Sequence, residues 1–139
     1  MKFKKYQKQR RRFKGLSCNY YFPKKGLFGL KALGSNRLRS SHIEAIRRFI
    51  QKRIKKRVKD KLRVCVFPDL PVTKKSSGVR MGKGKGAIEF WATPVYSGRI
   101  LFELGSRILF NDAFSIFMRS SLKLPLKTKF IVRKHFHII

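Results

Sequence analysis

Residues 78–86 alternate glycine with basic residues in the run Gly-Val-Arg-Met-Gly-Lys-Gly-Lys-Gly. Glycine lets a backbone approach another surface closely and adopt positive φ, so this run predicts a loop that lies against a second surface. No carboxylate occurs between Asp69 and Glu89, and nothing nearby in the sequence neutralises the loop. The facing surface is therefore expected to be anionic, and phosphate is the group that fits it.

The whole chain, like this loop, has a strong excess of positive charge. Thirty-six Lys and Arg oppose six Asp and Glu, which gives a formal net charge of +30 over 139 residues. A free globular protein gains nothing from such self-repulsion, so a polyanion is expected to complete the native state. Hydrophobic residues still make up 42%, too many for a disordered basic tail. No apolar run approaches the roughly 20 residues that span a bilayer, which favours nucleic acid over a membrane.

The first 26 residues form a predicted basic arm, and residues 27–139 form a predicted single domain with the glycine-lysine loop at 74–86. Eight Lys and Arg fall within residues 2–14, interleaved with Phe3, Tyr6 and Phe13. The candidate RNA-binding residues of the arm are Lys4, Lys5, Arg10, Arg11, Arg12 and Lys14. A mitochondrial transit peptide is the alternative, but the charges are too dense and serine and apolar residues too sparse for its amphipathic helix.

A basic amphipathic helix is predicted to begin at Ser41, which forms a capping box with Glu44. At about 100° per residue, the isoleucines at 43, 46, 50 and 54 share one stripe. The opposite side carries Arg48, Lys52, Lys55, Lys56 and Lys59. After Glu44 no acidic residue occurs before Asp60, so repulsion between residues four apart is not compensated within the helix. We therefore favour an external polyanion over a solvated charged face.

Strands are predicted over residues 27–33, 62–67, 88–93, 99–104 and 129–133, with Pro68 and Pro71 ending the second of them. The strands on either side of Ser97-Gly98 are expected to form an antiparallel hairpin. A second helix is predicted over residues 109–122, with Phe110, Ala113, Phe114 and Phe117 on its core face. The elements together predict an α+β domain with two helices on a mixed or antiparallel sheet.

No enzymatic site, cofactor or metal is predicted. Residues 78–86 lack the lysine-serine or lysine-threonine pair of a Walker A loop and the spacing of a dinucleotide fingerprint. Glu89 and Glu103 are expected on neighbouring strands as ionised counter-charges. Cys18 and Cys65 lack the close spacing of a zinc site, with only His42, His135 and His137 to join them, and are expected to be unpaired thiols rather than a disulfide.

Sequence-specific DNA binding is the alternative function. The basic helix could enter a major groove, but its polar face has little Asn or Gln to read bases, and no helix-turn-helix pattern precedes it. Charge spread over the arm, helix, loop and tail favours folded RNA that surrounds the protein on several sides.

Several segments in order resemble the L-sixteen family of large-subunit ribosomal proteins of bacteria and organelles, whose cytosolic eukaryotic counterpart is L-ten. The matching segments span nearly the whole chain and are Phe13-Lys14-Gly15, Phe28-Gly29-Leu30-Lys31-Ala32, Ile43-Glu44-Ala45 with Arg47-Arg48, Val66-Phe67-Pro68-Asp69 with Pro71-Val72-Thr73, Arg80 to Gly86, Trp91, Gly98 to Glu103, and Lys123-Leu124-Pro125 with Lys127-Thr128. Any one segment could arise by chance, but the set in this order is specific.

The resemblance implies an α/β-hammerhead-like α+β domain that binds large-subunit rRNA beside the cleft for aminoacyl-tRNA. It implies that a loop of Arg80, Met81, Gly82, Lys83, Gly84, Lys85 and Gly86 points toward tRNA and the peptidyl-transferase region. Catalysis would belong to the RNA. The implied partners are rRNA, tRNA and neighbouring ribosomal proteins, with no membrane and no homo-oligomer. In some bacterial relatives the arginine that matches Arg80 is hydroxylated, which makes Arg80 a candidate for modification.

The chain also departs from the family pattern. The arm between Gly15 and Gly26 is apolar and aromatic, with Leu16, Tyr20, Tyr21 and Phe22 where small polar residues are usual. Residues 110–121 are richer in phenylalanine and poorer in alanine and glutamate. Such phenylalanine- and lysine-rich drift favours a mitochondrial ribosome in the matrix over a plastid or bacterial cytoplasm. The family's arm begins almost at Met1, so no cleavable presequence is expected.

Overall fold

The computed structural model describes residues 15–17, 22–55, 61–82 and 84–133, without the side chain of Lys55. Several predicted residues lie outside the described ranges: Lys4, Lys5, Arg10, Arg11, Arg12, Lys14, Lys56, Lys59 and Lys83, together with Cys18, His135 and His137. The described elements, in chain order, are β1 (Phe28–Ala32), β2 (Asn36–Arg39), α1 (Ser40–Lys55), β3 (Leu62–Val64), β4 (Leu70–Lys74), β5 (Ala87–Val95), β6 (Ile100–Leu104), α2 (Phe110–Ser121) and β7 (Thr128–Val132).

The strands form two antiparallel sheets. One has four strands in the order β3-β6-β1-β7, and the other has three in the order β2-β5-β4. In the four-stranded sheet Phe28 of β1 lies between Leu104 of β6 and Val132 of β7. In the three-stranded sheet Ala92 of β5 lies between Arg39 of β2 and Leu70 of β4. The predicted single α+β domain is confirmed, with two sheets where one was expected.

The core lies between the helices and the central strands. Every residue of β1 and β6, the two inner strands of the four-stranded sheet, is buried. The predicted isoleucine stripe of α1 is confirmed: the exposed fractions of the residues at 43, 46, 50 and 54 are 7%, 0%, 0% and 3%. A 3.6-residue period therefore identified the face of α1 that packs inward.

The predicted hairpin between residues 88–93 and 99–104 is wrong. The two segments are strands as expected, but β5 and β6 belong to different sheets. The Ser97-Gly98 turn carries the chain from one sheet to the other. The Gly98 N–H donates to the Ala32 carbonyl at 2.7 Å, which fixes this crossing at the end of β1. Consequently Glu89 and Glu103 do not lie on neighbouring strands, contrary to the prediction.

The strand predicted over 62–67 is shorter, and the effect assigned to Pro71 is wrong. Only Leu62–Val64 form β3, although the Cys65 N–H still donates to the Leu101 carbonyl at 2.9 Å. Pro71 does not end a strand but lies within β4, opposite Trp91. Because β4 is at the edge of its sheet, a residue without an N–H is tolerated there.

The predicted second helix is confirmed, with Leu109 and Leu122 as its caps. The prediction of which residues form the core face of this helix was only partly correct. Ala113 and Phe117 are fully buried, but Phe110 and Phe114 are 53% and 45% exposed. The buried face is completed by Ile116 and Ser120 instead. The phenylalanines at 110 and 114 lie along the margin of α2, where both rings contact Phe130 of β7.

Candidate nucleic-acid interface

The glycine-lysine loop connects β4 to β5, two neighbouring strands of the three-stranded sheet. Its described residues from 75 to 85 are all exposed, and Met81 is 97% exposed. Gly82 and Gly84 have φ angles of 98° and 79°, a region that side chains with a Cβ rarely adopt. The loop therefore presents its backbone and the basic side chains of Arg80 and Lys85 to the outside of the domain.

Gly86 closes the neck of this loop. A Cβ at this position would overlap the Lys74 carbonyl and lie 2.8 Å from the Lys75 nitrogen. These are backbone atoms of the opposite strand, so they cannot rotate away as the end of a side chain could. The close approach allows Lys74 and Ala87 to pair as the last residues of β4 and the first of β5.

Replacing Gly86 by alanine is expected to lower the free energy of unfolding by about 1–3 kcal/mol, because two backbone segments must separate. Thermal and urea unfolding followed by circular dichroism would measure the change. Gly34→Ala is the matched control, since no atom lies within 4 Å of a Cβ at that position. Equal stability of the two variants would mean that the neck of the loop is not constrained by Gly86.

The start of α1 differs from the prediction. The helix begins at Ser40, so Ser41 lies within its first turn rather than at its N-cap, and Glu44 lies beyond that turn. Its carboxylate instead accepts hydrogen bonds from Arg47 Nη2 at 2.7 Å and from Arg48 Nε at 2.8 Å. These bonds lower the pKa of Glu44 to about 2, so the carboxylate is ionised at neutral pH. Glu44 thus pairs with guanidinium groups three and four residues further along the helix.

The predicted basic face of α1 consequently includes a cation, Arg48, that is already paired with a carboxylate. Arg48 is paired with Glu44 and yet its side chain is 76% exposed, so it can still reach a second anion. Lys52 is also exposed on this side of the helix. The glycine-lysine loop is located at the end of the β4–β5 pair, whereas Arg48 and Lys52 lie on the helix. The structure thus places cations on two separate elements.

Two further cations near α1 were missed by the sequence prediction. Arg53 and Lys123 each have their charged group 5.3 Å from the centre of the Phe49 ring. The four-residue spacing of Phe49 and Arg53 in a helix could have indicated the first contact. Lys123 follows α2, and only the packing of the two helices brings it to the same ring. A further cation–π pair joins Arg39 and Phe90 across β2 and β5, at 4.3 Å.

The end of the predicted arm is attached to the domain by a buried carboxylate. Glu103 of β6 is 2% exposed and accepts hydrogen bonds from the backbone N–H groups of Lys24, Lys25 and Gly26, at 3.0, 3.3 and 3.2 Å. Arg133 donates to the Lys24 carbonyl at 2.7 Å from the other side. This arrangement directs the exposed Lys24 and Lys25 side chains outward. The arm boundary at residue 26 itself stays a prediction.

Cys65 is a free cysteine beside this carboxylate. Burial, reinforced by the charge of Glu103, raises the pKa of the Cys65 thiol to about 12, so the thiol stays protonated at neutral pH. Within the described ranges, no three His, Cys, Asp or Glu residues are grouped so that they could hold a metal ion. Neither described helix is long and apolar enough to cross a membrane.

Comparison with known proteins identifies relatives of this chain. Residues 1–131 match the family described as Ribosomal protein L16p/L10e. The chain is similar to the large ribosomal subunit protein uL16 of Buchnera aphidicola subsp. Baizongia pistaciae, with 43% identity over 134 residues, 95% of this chain and 93% of that protein. It is 49% identical over 108 residues to uL16 of Erythrobacter litoralis, which covers 78% of this chain and 73% of that protein. The uL16 of Christiangramia forsetii is 40% identical over 133 residues, 95% of this chain and 94% of that protein.

The family match extends over the described domain, the glycine-lysine loop and most of the remaining chain, and two of these relatives cover nearly all of it. Neither observation depends on a single short motif. The chain therefore belongs to the Ribosomal protein L16p/L10e family.

Proposed function

We propose that this chain binds large-subunit rRNA through its arm and α1 and presents the glycine-lysine loop to tRNA near the peptidyl-transferase region. As a member of its family it is a structural constituent of the large ribosomal subunit and not an enzyme. Its partners are rRNA and ribosomal proteins in general. The proposal concerns which residues contact rRNA and which contact tRNA.

The observation that carries the tRNA proposal is the form of the loop. A segment exposed over its described length, with positive φ at Gly82 and Gly84 and no carboxylate between Asp69 and Glu89, extends from the neck at Gly86. Backbone N–H groups and side-chain cations of such a loop can approach a phosphate backbone without a Cβ in the way. These features support Arg80 through Gly86 as the tRNA-proximal residues, with Arg80 as the candidate for hydroxylation.

The rRNA contacts are assigned to the arm and to α1. The proposed residues are Lys4, Lys5, Arg10, Arg11, Arg12, Lys14, Arg48, Lys52, Lys55, Lys56 and Lys59. Support comes from the exposed Arg48 and Lys52 side chains and from the excess of cations over carboxylates along the helix. Contacts of this kind neutralise phosphates and release counterions, so they position the protein without reading sequence.

Replacing Arg48, Lys52 and Lys55 together by glutamine is expected to weaken rRNA binding and to flatten its salt dependence. The slope of log K against log salt should fall by about 0.7–0.9 for each phosphate that the variant no longer neutralises. Filter binding to large-subunit rRNA over a salt series would measure it. The control exchanges the same cations for one another, as Arg48→Lys, Lys52→Arg and Lys55→Arg, and should keep the slope. An unchanged slope in the glutamine variant would mean that this face is only solvated.

We further propose that the ribosome is mitochondrial. The relatives described above are bacterial, so the support is the composition: residues 110–121 are rich in phenylalanine where the family pattern has alanine and glutamate, and the chain as a whole is rich in lysine. Fractionating source cells and locating this chain with matrix ribosomes would support the compartment. Recovery with plastid or cytoplasmic ribosomes would contradict it and leave the ribosomal role intact.

Sedimentation tests the ribosomal role itself. On a gradient at roughly 0.5 M salt, an integral component should migrate with the large subunit, because buried contacts resist screening that removes loosely held basic proteins. Migration at the top of the gradient, or with DNA, would contradict the proposal and favour a basic DNA-binding protein.

A further inference from the structure

The outer side of α2 carries an exposed apolar row. Phe110, Phe114, Met118 and Leu122 follow one another at intervals of four residues, and their exposed fractions are 53%, 45%, 45% and 86%. We name these four residues the α2 stripe. Side chains four apart in a helix lie on one side of it, so the stripe is continuous from the first turn of α2 to its C-cap. Contiguous exposed apolar surface of this kind marks an interaction site.

Folding of the domain does not explain the α2 stripe. The core face of the helix is formed by other residues: Ala113, Ile116, Phe117 and Ser120. Within the stripe, the rings of Phe110 and Phe114 lie 5.6 and 5.5 Å from the ring of Phe130, which is packed against the core. Those contacts hold two large side chains in fixed positions at the surface. A partner would thus meet a preorganised surface and lose little conformational entropy on binding.

The charge of α2 distinguishes it from the RNA-binding elements. Within Phe110–Ser121 one acidic residue, Asp112, balances one basic residue, Arg119. Within Ser40–Lys55 five Lys and Arg stand against Glu44. Since the phosphate backbone is attracted mainly by clustered cations, α2 is a poor site for RNA in a chain of net charge +30. The rings of Phe110 and Phe114 pack against each other and against Phe130, and Met118 and Leu122 offer no ring on which a base could stack.

The surroundings of the stripe indicate the chemistry of the occupant. Exposed basic residues flank it, with Arg107 before the helix and Arg119 and Lys123 near its C-terminal end. An apolar centre with a basic rim is complementary to an amphipathic segment whose apolar side chains are flanked by carboxylates. We propose that the α2 stripe is the docking surface for an acidic amphipathic segment of another protein of the large subunit. This inference rests on the proposed ribosomal function.

Site-specific cross-linking in assembled large subunits tests the inference. A benzophenone amino acid replaces Met118 in the full chain, and the control places it at Ser115, an exposed residue of the same helix outside the stripe. Position 118 is expected to cross-link to a peptide of one large-subunit protein, with Asp or Glu flanking its apolar residues. Position 115 should do so at least about fivefold less, because at about 100° per residue its side chain lies to one side of the middle of the stripe.

A second substitution separates specific docking from proximity. With the cross-linker at 118, Leu122→Glu should reduce the protein cross-link about tenfold, because it places a carboxylate opposite the acidic flanks of the partner, whereas Ser115→Glu should leave it within about twofold. Leu122 is 86% exposed, so its replacement leaves the fold intact. An undiminished cross-link in the Leu122→Glu variant would overturn the inference.

Other products would also overturn it. A cross-link to rRNA, to residues 134–139 of the same chain or to a second copy would each identify a different occupant, and the absence of any product would mean that the stripe faces solvent. In all these cases sedimentation of the chain with the large subunit would leave the ribosomal function standing. A chain that does not sediment with the subunit would remove the proposed function and this inference together.

Discussion

Replacing Glu103 by glutamine is expected to lower the free energy of unfolding by about 2–4 kcal/mol near neutral pH. The carboxylate is 2% exposed and accepts hydrogen bonds from three consecutive N–H groups, those of Lys24, Lys25 and Gly26. A glutamine has the same size but directs an amide NH₂ toward donors. At least one of these three N–H groups would then lose its acceptor, and the attachment of residues 24–26 to β6 would weaken.

Urea unfolding of the full chain, followed by circular dichroism, would measure this loss. The matched control is Glu89→Gln, which makes the same chemical change on the other sheet. Glu89 is 45% exposed and lies 3.7 Å from the Lys74 ammonium group. A surface pair of this kind contributes little, so the control is expected to change stability by less than about 0.5 kcal/mol. Similar losses in both variants would show that Glu103 has no special part in holding residues 24–26.

Replacing Arg80 and Lys85 together by alanine is expected to slow tRNA accommodation about tenfold or more, because a single charge-assisted hydrogen bond to phosphate is worth about 1.5–3 kcal/mol. Both side chains lie in the exposed loop outside the core. The unfolding free energy of the isolated chain should therefore stay within about 0.5 kcal/mol of the original. Rapid-kinetic measurement of tRNA entry into ribosomes that carry the variant would determine the functional effect.

The control for this experiment removes two cations elsewhere. Lys127 and Lys129 are exposed beside and within β7, and their replacement by alanine makes the same change in net charge. We expect accommodation to be nearly unaffected in that variant. If both double variants slowed tRNA entry equally, the effect would come from net charge rather than from the position of the loop. If the Arg80 and Lys85 variant unfolded, the loop would have to be regarded as part of the core.

Local patterns in the sequence predicted those features of the fold that depend on interactions between residues close together in the chain. The isoleucine stripe of α1 and the bounds of α2 followed from helical periodicity, and the loop followed from its glycines and the absence of nearby carboxylates. The interpretation of Ser41 and Glu44 as a capping box failed because the helix begins at Ser40, which places Ser41 inside it, and the Glu44 carboxylate accepts from Arg47 and Arg48 instead. A motif that fits one helix start in the sequence does not fit a start one residue earlier.

Long-range pairing could not be predicted from these patterns. A turn signal at Ser97-Gly98 indicates that the chain bends, but does not reveal whether the next strand pairs with the previous one or enters another sheet. The role of Glu103 was likewise hidden, because its partners lie 77 to 79 residues away in the sequence. The exposure of Phe110 and Phe114 depends on where β7 lies beside α2. Each of these outcomes is set by tertiary packing rather than by local preference.

The position of the loop relative to tRNA is tested by cross-linking from its most exposed residue. A photoreactive amino acid in place of Met81, which is 97% exposed, would be introduced into ribosomes holding aminoacyl-tRNA. We predict a cross-link from position 81 to the tRNA that disappears when the tRNA is omitted. A cross-link from position 81 to rRNA or protein alone, unchanged by the presence of tRNA, would contradict the proposed role of the loop.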